Sequence, residues 1–131
     1  MQMVRNKTEE GFTRLFPADL TNSVDVPQAP YFIYDVEDGH WVRGMSTAQA
    51  EEVFRQKHRF GLTADECINL CIHTPGLLPK HSMLCTASRY GMNPARVPGI
   101  APQGTCPELL AYYCIEGDDE WGFPSCGVRN C

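Results

Sequence analysis

Seven cysteines in a chain of 131 residues, with no export signal ahead of them, decide what kind of fold is open to this sequence. An odd number of thiols cannot all pair internally, and in a reducing compartment none is expected to pair. The N-terminal run Met1-Gln2-Met3-Val4-Arg5-Asn6-Lys7-Thr8-Glu9-Glu10 lacks the apolar stretch of a secretory peptide. No segment approaches the roughly 18 apolar residues of a membrane span. The expectation is a cytoplasmic protein whose thiols serve as core filler, metal ligands or reactive groups. Without disulfides to close it, the chain must fold around an apolar core of its own. Hydrophobic residues make up 43% of it, enough for one such core, so a structural zinc is optional.

Charge narrows the partners. A net charge of −5 argues against broad nucleic-acid binding, which draws most of its affinity from a basic face. The basic cluster Arg55, Lys57, His58 and Arg59 reads as a solvated helix end, where cations complement the macrodipole.

Residues 1–23 read as an N-terminal arm, with Phe12, Leu15, Phe16 and Leu20 as apolar anchors and Pro17 breaking any helix. A single domain is expected over 24–131. It opens on a short strand at 31–36, closed by a turn at Glu37-Asp38-Gly39. Two helices follow, each announced by a capping box: Ser46 with Gln49, and Thr63 with Glu66. The first, over 47–58, places Ala50, Val53 and Phe54 on one face. The second, over 64–73, carries Ala64, Cys67, Ile68, Cys71 and Ile72 as an amphipathic stripe, with Leu62 placed to staple against Cys67 and Pro75-Gly76 ending it. Two adjacent helices raise a helix-turn-helix, but the second offers only Asn69 to face a base edge.

Beyond Pro79 the pattern changes to short strands divided by turn residues. Residues 83–87 read as a strand and 89–94 as a turn. The run 96–100 is broken by Pro98, which marks an edge strand or no strand at all. Residues 109–115 give the strongest strand signal. The order of elements predicts an α+β domain: a small, mostly antiparallel sheet with two short helices packed on one face.

Several phrases of the chain form an ordered series: Val26-Pro27-Gln28-Ala29-Pro30-Tyr31; Tyr34-Asp35-Val36; Leu62-Thr63 with Glu66, Ile68, Leu70, His73 and Pro75; Cys85 before Ala87-Ser88-Arg89 and Gly91; Arg96-Val97-Pro98; Cys114; and Trp121 leading to Ser125-Cys126-Gly127 and Arg129. Through these, residues 24–129 resemble a family of uncharacterised small bacterial proteins, a domain of unknown function. The resemblance supplies positions and no activity. Members carry a longer N-terminal region, a cysteine where Tyr90 stands, and a Trp-rich strand where this chain has Tyr112-Tyr113-Cys114-Ile115. The missing cysteine removes one ligand from any four-thiolate site.

Candidate chemistry centres on thiols. Cys67 and Cys71, four apart on a helix, sit about 5–6 Å apart at Cβ, too far for a relaxed disulfide. Either they chelate a metal with His73 nearby, or they pack as small hydrophobes within the stripe. Cys85 precedes Ser88 and Arg89 at the end of a strand. A guanidinium there would lower the thiol pKa, or would grip a carboxylate or phosphate on a ligand. The alternative is a core Cys85 and an Arg89 paired with a carboxylate such as Glu66. Cys106, Cys114, Cys126 and Cys131 are separated by seven, eleven and four residues, without the tight knuckle of a zinc ribbon. A zinc site would draw on Cys85, Cys114, Cys126 and His73, and Cys126 with Cys131 could oxidise to a terminal disulfide. His73 suits the C-terminal end of a helix, while His40, His58 and His81 read as exposed. The run Glu116-Gly117-Asp118-Asp119-Glu120 lacks the ligand spacing of a calcium loop and reads as a solvated turn.

Two functions of different class follow. The first is a small ligand-handling protein or enzyme acting on an anionic small molecule. Arg89, Ser88 and Trp121 would bind the ligand, and Cys85 or Cys126 would serve as nucleophile or proton carrier. The second is a non-catalytic protein-binding module, with core or zinc-structural cysteines and an exposed aromatic surface.

Overall fold

The structure, a computed structural model, describes residues 1, 3–6, 9–103, 106–113, 117 and 119–130. Short strands come first: β1 (Arg5–Asn6), β2 (Glu9–Glu10), β3 (Phe12–Thr13) and, after a 3-10 turn at Pro17–Asp19, β4 (Leu20–Asn22). β5 (Phe32–Tyr34) leads through a second 3-10 turn at His40–Val42 into α1 (Thr47–Gln56). β6 (Phe60–Gly61) separates α1 from α2 (Ala64–His73). β7 (Ser82–Leu84), β8 (Ser88–Tyr90), β9 (Arg96–Gln103) and β10 (Cys106–Tyr113) follow. The C-terminal segment adds β11 (Trp121–Gly122), β12 (Ser125–Cys126) and β13 (Val128–Asn130).

Both helices start where their caps direct. Ser46 Oγ accepts from the Gln49 amide at 3.2 Å, and Gln49 Oε1 accepts from the Ser46 amide at 2.8 Å. Thr63 and Glu66 repeat the exchange at 3.2 and 2.8 Å. Leu62 and Cys67, the staple pair, are both fully buried in one core cluster.

The architecture is α+β and mostly antiparallel, but the sheet is larger than expected. Five strands run in the order β11-β7-β9-β10-β3, with parallel pairs at both edges. Its centre is the β9–β10 hairpin, paired from Cys106↔Gln103 to Tyr113↔Arg96. Pro98 therefore lies inside a central strand, against the expectation of an edge. The reason is local. Beside Pro98, β7 has already ended and Cys85 donates its amide to the Pro98 carbonyl at 2.9 Å. The Cys85 carbonyl takes the Ser88 amide at 3.1 Å instead, so the missing proline donor leaves no acceptor empty. Ser88-Arg89-Tyr90, read as part of a turn, is a short strand because β4 pairs with it (Leu20↔Tyr90 to Asn22↔Ser88). Cys114 and Ile115, the end of the strand expected over 109–115, lie outside the described residues.

The helices do not share a face of the sheet. In register, Met83, Ile100 and Leu109 point to one side, where they cluster with Cys67 and Cys71 of α2. Leu84 and Val97 point to the other, where they cluster with Ala50 and Phe54 of α1 and with Phe123. One face per helix replaces the expected single covered face.

Both ends of the described chain are woven into this frame. Val4 is buried in the α2-side core, β3 pairs parallel with β10, and β4 pairs with β8. At the other end β11 pairs with β7, β12 with β6, and β13 with β5. Among the described residues no helix is long and apolar enough to cross a membrane.

Candidate functional site

The sequence-derived site residues go to four different places. Cys85 is fully buried against Cys67 in the α2-side core. Burial, and then the hydrogen bond with Cys85, pushes the Cys67 thiol well up from its ordinary value. Burial likewise raises Cys71 and Cys126, with Arg129 and Arg59 partly offsetting the effect at Cys126. These three thiols keep their protons at neutral pH. Neither Cys85 nor Cys126 lines any of the clefts described below.

Ser88 faces inward. Its hydroxyl accepts from the Ala64 amide at 3.0 Å and donates to Asn22 Oδ1 at 2.9 Å, so it joins the start of α2 to β4 and β8. Arg89, one residue on, turns outward. Its Nη1 donates to the Thr86 and Ser88 carbonyls, and its Nη2 pairs with Glu51. Glu51 thus takes the place expected for Glu66. Trp121 is half-buried against Tyr112, ring centroids 4.6 Å apart and tilted by 57°. His73 is exposed at the end of α2, on the wall of a cavity of about 710 Å³ between α2 and residues 27–36. Of the zinc set Cys85, Cys114, Cys126 and His73, Cys114 lies outside the described residues. Among those described, no three His, Cys, Asp or Glu side chains converge as metal ligands. The pairing of Cys126 with Cys131 also falls outside them, and the five described cysteines are free.

Arg89 opens onto a cleft of about 410 Å³ that it shares with Arg55, Arg59, Glu51 and Thr86. Arg59 is nearly buried and held from three directions. Its Nε donates to Ser125 Oγ at 2.9 Å, Nη1 to Asp35 Oδ2 at 2.7 Å, and Nη2 to the Asp35 carbonyl at 2.5 Å. Asp35 presents that carbonyl from a left-handed backbone conformation, φ 55°. Arg55 sits on the exposed side of α1, paired with Glu52 at 2.5 Å. Gly61 forms part of the floor, and a Cβ there would collide with the Thr86 hydroxyl. Two guanidiniums are therefore fixed by backbone oxygens, and the third, Arg55, is held by the two carboxylate oxygens of Glu52.

Sequence reasoning did not find the ion pair at the base of the larger cavity. Glu66 Oε1 and Oε2 each accept from Arg129 at 2.7 Å, bidentate. Arg129 also donates to the Gly61 carbonyl at 2.6 Å, and the Tyr31 hydroxyl donates to Glu66 Oε2 at 2.8 Å. Burial alone would raise Glu66, but Arg129, the Thr63 amide and Tyr31 together hold it below the usual carboxylate value. Tyr31 is pushed up to about 12, by burial first and then by the carboxylate it serves. The signal available was Arg129 in the last of the phrases that carry the resemblance, 63 residues from its partner.

The family model of a family of unknown function, DUF5701, matches residues 1–107. No curated protein and no solved structure matches the chain.

Proposed function

The chain belongs to this family of unknown function, so its chemistry rests on its own residues, and we propose that it binds a small anionic molecule in the cleft between Arg55, Arg59 and Arg89. Three guanidiniums border the cleft; Glu52 neutralises Arg55 and Asp35 neutralises Arg59 from beside it, so the proposal is carried by Arg89, whose counter-charge Glu51 lies within the cleft. Glu51 occupies Arg89 as an internal anion, which a ligand carboxylate or phosphate displaces. Arg89 has five N–H donors, and its contacts to Thr86, Ser88 and Glu51 use three of them. Phe54 and Phe60 supply an apolar wall for the rest of the ligand. No thiol lines the cleft, so the reading is one of non-covalent binding.

The test is titration of the full chain with inorganic phosphate at low ionic strength, followed by backbone amide shifts. Arg89→Ala is expected to weaken binding by about tenfold or more, with the melting temperature within a few degrees. Glu51→Gln is expected to tighten it by removing the competitor. Saturation that ignores both substitutions, or none at all, overturns the reading.

The protein-binding alternative has one observation of its own. Phe32, Tyr34 and Val128 stand exposed on the β5–β13 ribbon, at 67%, 47% and 49%. If that face docks a second copy of the chain, sedimentation shows a dimer that Phe32→Ser dissociates. A monomer at high concentration removes it.

A further inference from the structure

His81, expected at the surface, is buried beside Gly122, where a Cβ would collide with the ring. His73 instead stands exposed on the wall of the cavity of about 710 Å³ between α2 and residues 27–36. It shares a ridge of α2 with Asp65 and Asn69, because positions four apart on a helix stand one above another. All three are exposed and border the cavity. The neighbouring ridge, Glu66 and Leu70, sits deeper. Glu66 is buried, and Arg129, the Thr63 amide and the Tyr31 hydroxyl occupy its oxygens.

Asp65 is the opposite case. Asn69 Nδ2 donates to its backbone carbonyl at 2.9 Å, while its carboxylate makes no hydrogen bond or ion pair among the described residues. With Nδ2 so engaged, Asn69 offers its Oδ1 as an acceptor. Burial and Glu66 do most to raise the Tyr31 phenol at the cavity base, and Asp65 adds to them, so its charge reaches into the site. The remaining walls include the apolar Pro27, Pro30, Ile33, Val36 and Leu70, and among the described residues no lysine or arginine borders the cavity. Its volume suits a small molecule. An ammonium carries three donors and no acceptor, which matches a rim that offers a carboxylate and an amide oxygen. We propose that this cavity binds a small primary amine with an apolar body. Asp65 and Asn69 hold its ammonium, and Ile33, Val36 and Leu70 cover its body. His73, two turns on, lies about 12 Å further along the helix axis and leaves the ammonium uncrowded. The site shares no residue with the arginine cleft and takes the opposite charge, so it goes beyond that reading.

Phenethylamine, 2-phenylethanol and 3-phenylpropanoate are the probes, similar apolar bodies with a cationic, a neutral or an anionic end. In the full chain at low ionic strength, the amine is expected to shift backbone amides of residues 29–36 and 65–73 saturably. It should bind about fivefold more tightly than the alcohol, with the carboxylate weakest. Asp65→Asn should bring the amine to the affinity of the alcohol and leave the alcohol unchanged. Ethylamine, which keeps the charge and loses the ring, should fail to saturate. Equal affinities for the three probes in the unmodified chain, no saturation, shifts confined to other residues, or ethylamine binding as well as phenethylamine overturn the proposal. The comparison of probes on the unmodified chain decides even where the variant fails to fold. Inorganic phosphate is expected to weaken the amine no more than chloride of equal ionic strength, so failure here and failure of the arginine cleft are distinguishable.

Discussion

At Glu66 a carboxylate only 6% exposed meets a guanidinium, a backbone amide and a phenol. Removing one partner of such a pair leaves the other buried without compensation. Glu66→Ala is expected to cost about 3–5 kcal/mol in urea denaturation, because Arg129 stays in place. Replacing Glu66 and Arg129 together by apolar residues should cost less than the two single changes summed. The pair also sets an acid limit. Glu66 titrates below its ordinary value of 4.5 in the folded chain, so its contribution is complete above that pH and is lost as pH falls through the lower folded value. Tyr31 sets the alkaline counterpart: its stabilisation is complete below pH 10 and is lost as pH rises toward about 12. Ultraviolet titration should show the Tyr31 phenol ionising late, and Glu66→Gln should bring it back toward 10. Glu66 was legible as the last residue of a capping box, because that role is set by neighbours in sequence. Arg129 was not, because nothing local ties an arginine near one end of a chain to a helix start far upstream.

Elements repeat the same division between local and distant causes. The capping boxes placed both helices to within two residues, since side chain and amide lie on one short stretch. Thr63→Ala and Ser46→Ala should each cost about 1 kcal/mol in chemical denaturation. The Thr63 change is expected to cost more, because its helix end is buried and that of Ser46 is not. Equal losses would show that burial of the cap adds nothing. The strand readings failed where a neighbour decides the outcome. Pro98 entered a central strand because Cys85 and Ser88 rearranged around it. Ser88-Arg89-Tyr90 became a strand because residues 20–22 pair with it. The face each helix covers depends on which residues of β7 and β9 stand opposite one another, and a stripe on a helix carries no record of that.

Over the whole molecule the thiols report how tightly the two cores close. Cys67, Cys85 and Cys126 are fully buried, whereas Cys106 is half-exposed, with its Sγ donating to the Glu10 carbonyl at 3.0 Å. In the native protein an alkylating reagent should label Cys106 first among the described cysteines, read by peptide mass. The three fully buried thiols should react only at the rate of global unfolding. Early labelling of Cys85 would place it in an open site and undo its assignment to the core. Trp121, Phe123 and Arg129 all belong to the C-terminal segment; the first two pack into the α1-side core and the third closes the ion pair at the start of α2. A chain ending at Glu120 is therefore expected to lose cooperative unfolding, as judged by near-ultraviolet circular dichroism.

That lacing has a consequence for how the protein is made. A ribosome delivers roughly 5–20 residues per second from the N-terminus. α2 can coil as soon as it emerges, but the arginine that neutralises Glu66 emerges 63 residues later. β5 likewise waits for β13, and β6 for β12. For several seconds the nascent chain holds a half-covered sheet, open strand edges and an unpaired acid beside an apolar helix face. Completion then comes late and nearly all at once, so the newborn chain is most in need of a chaperone just before its final strand arrives.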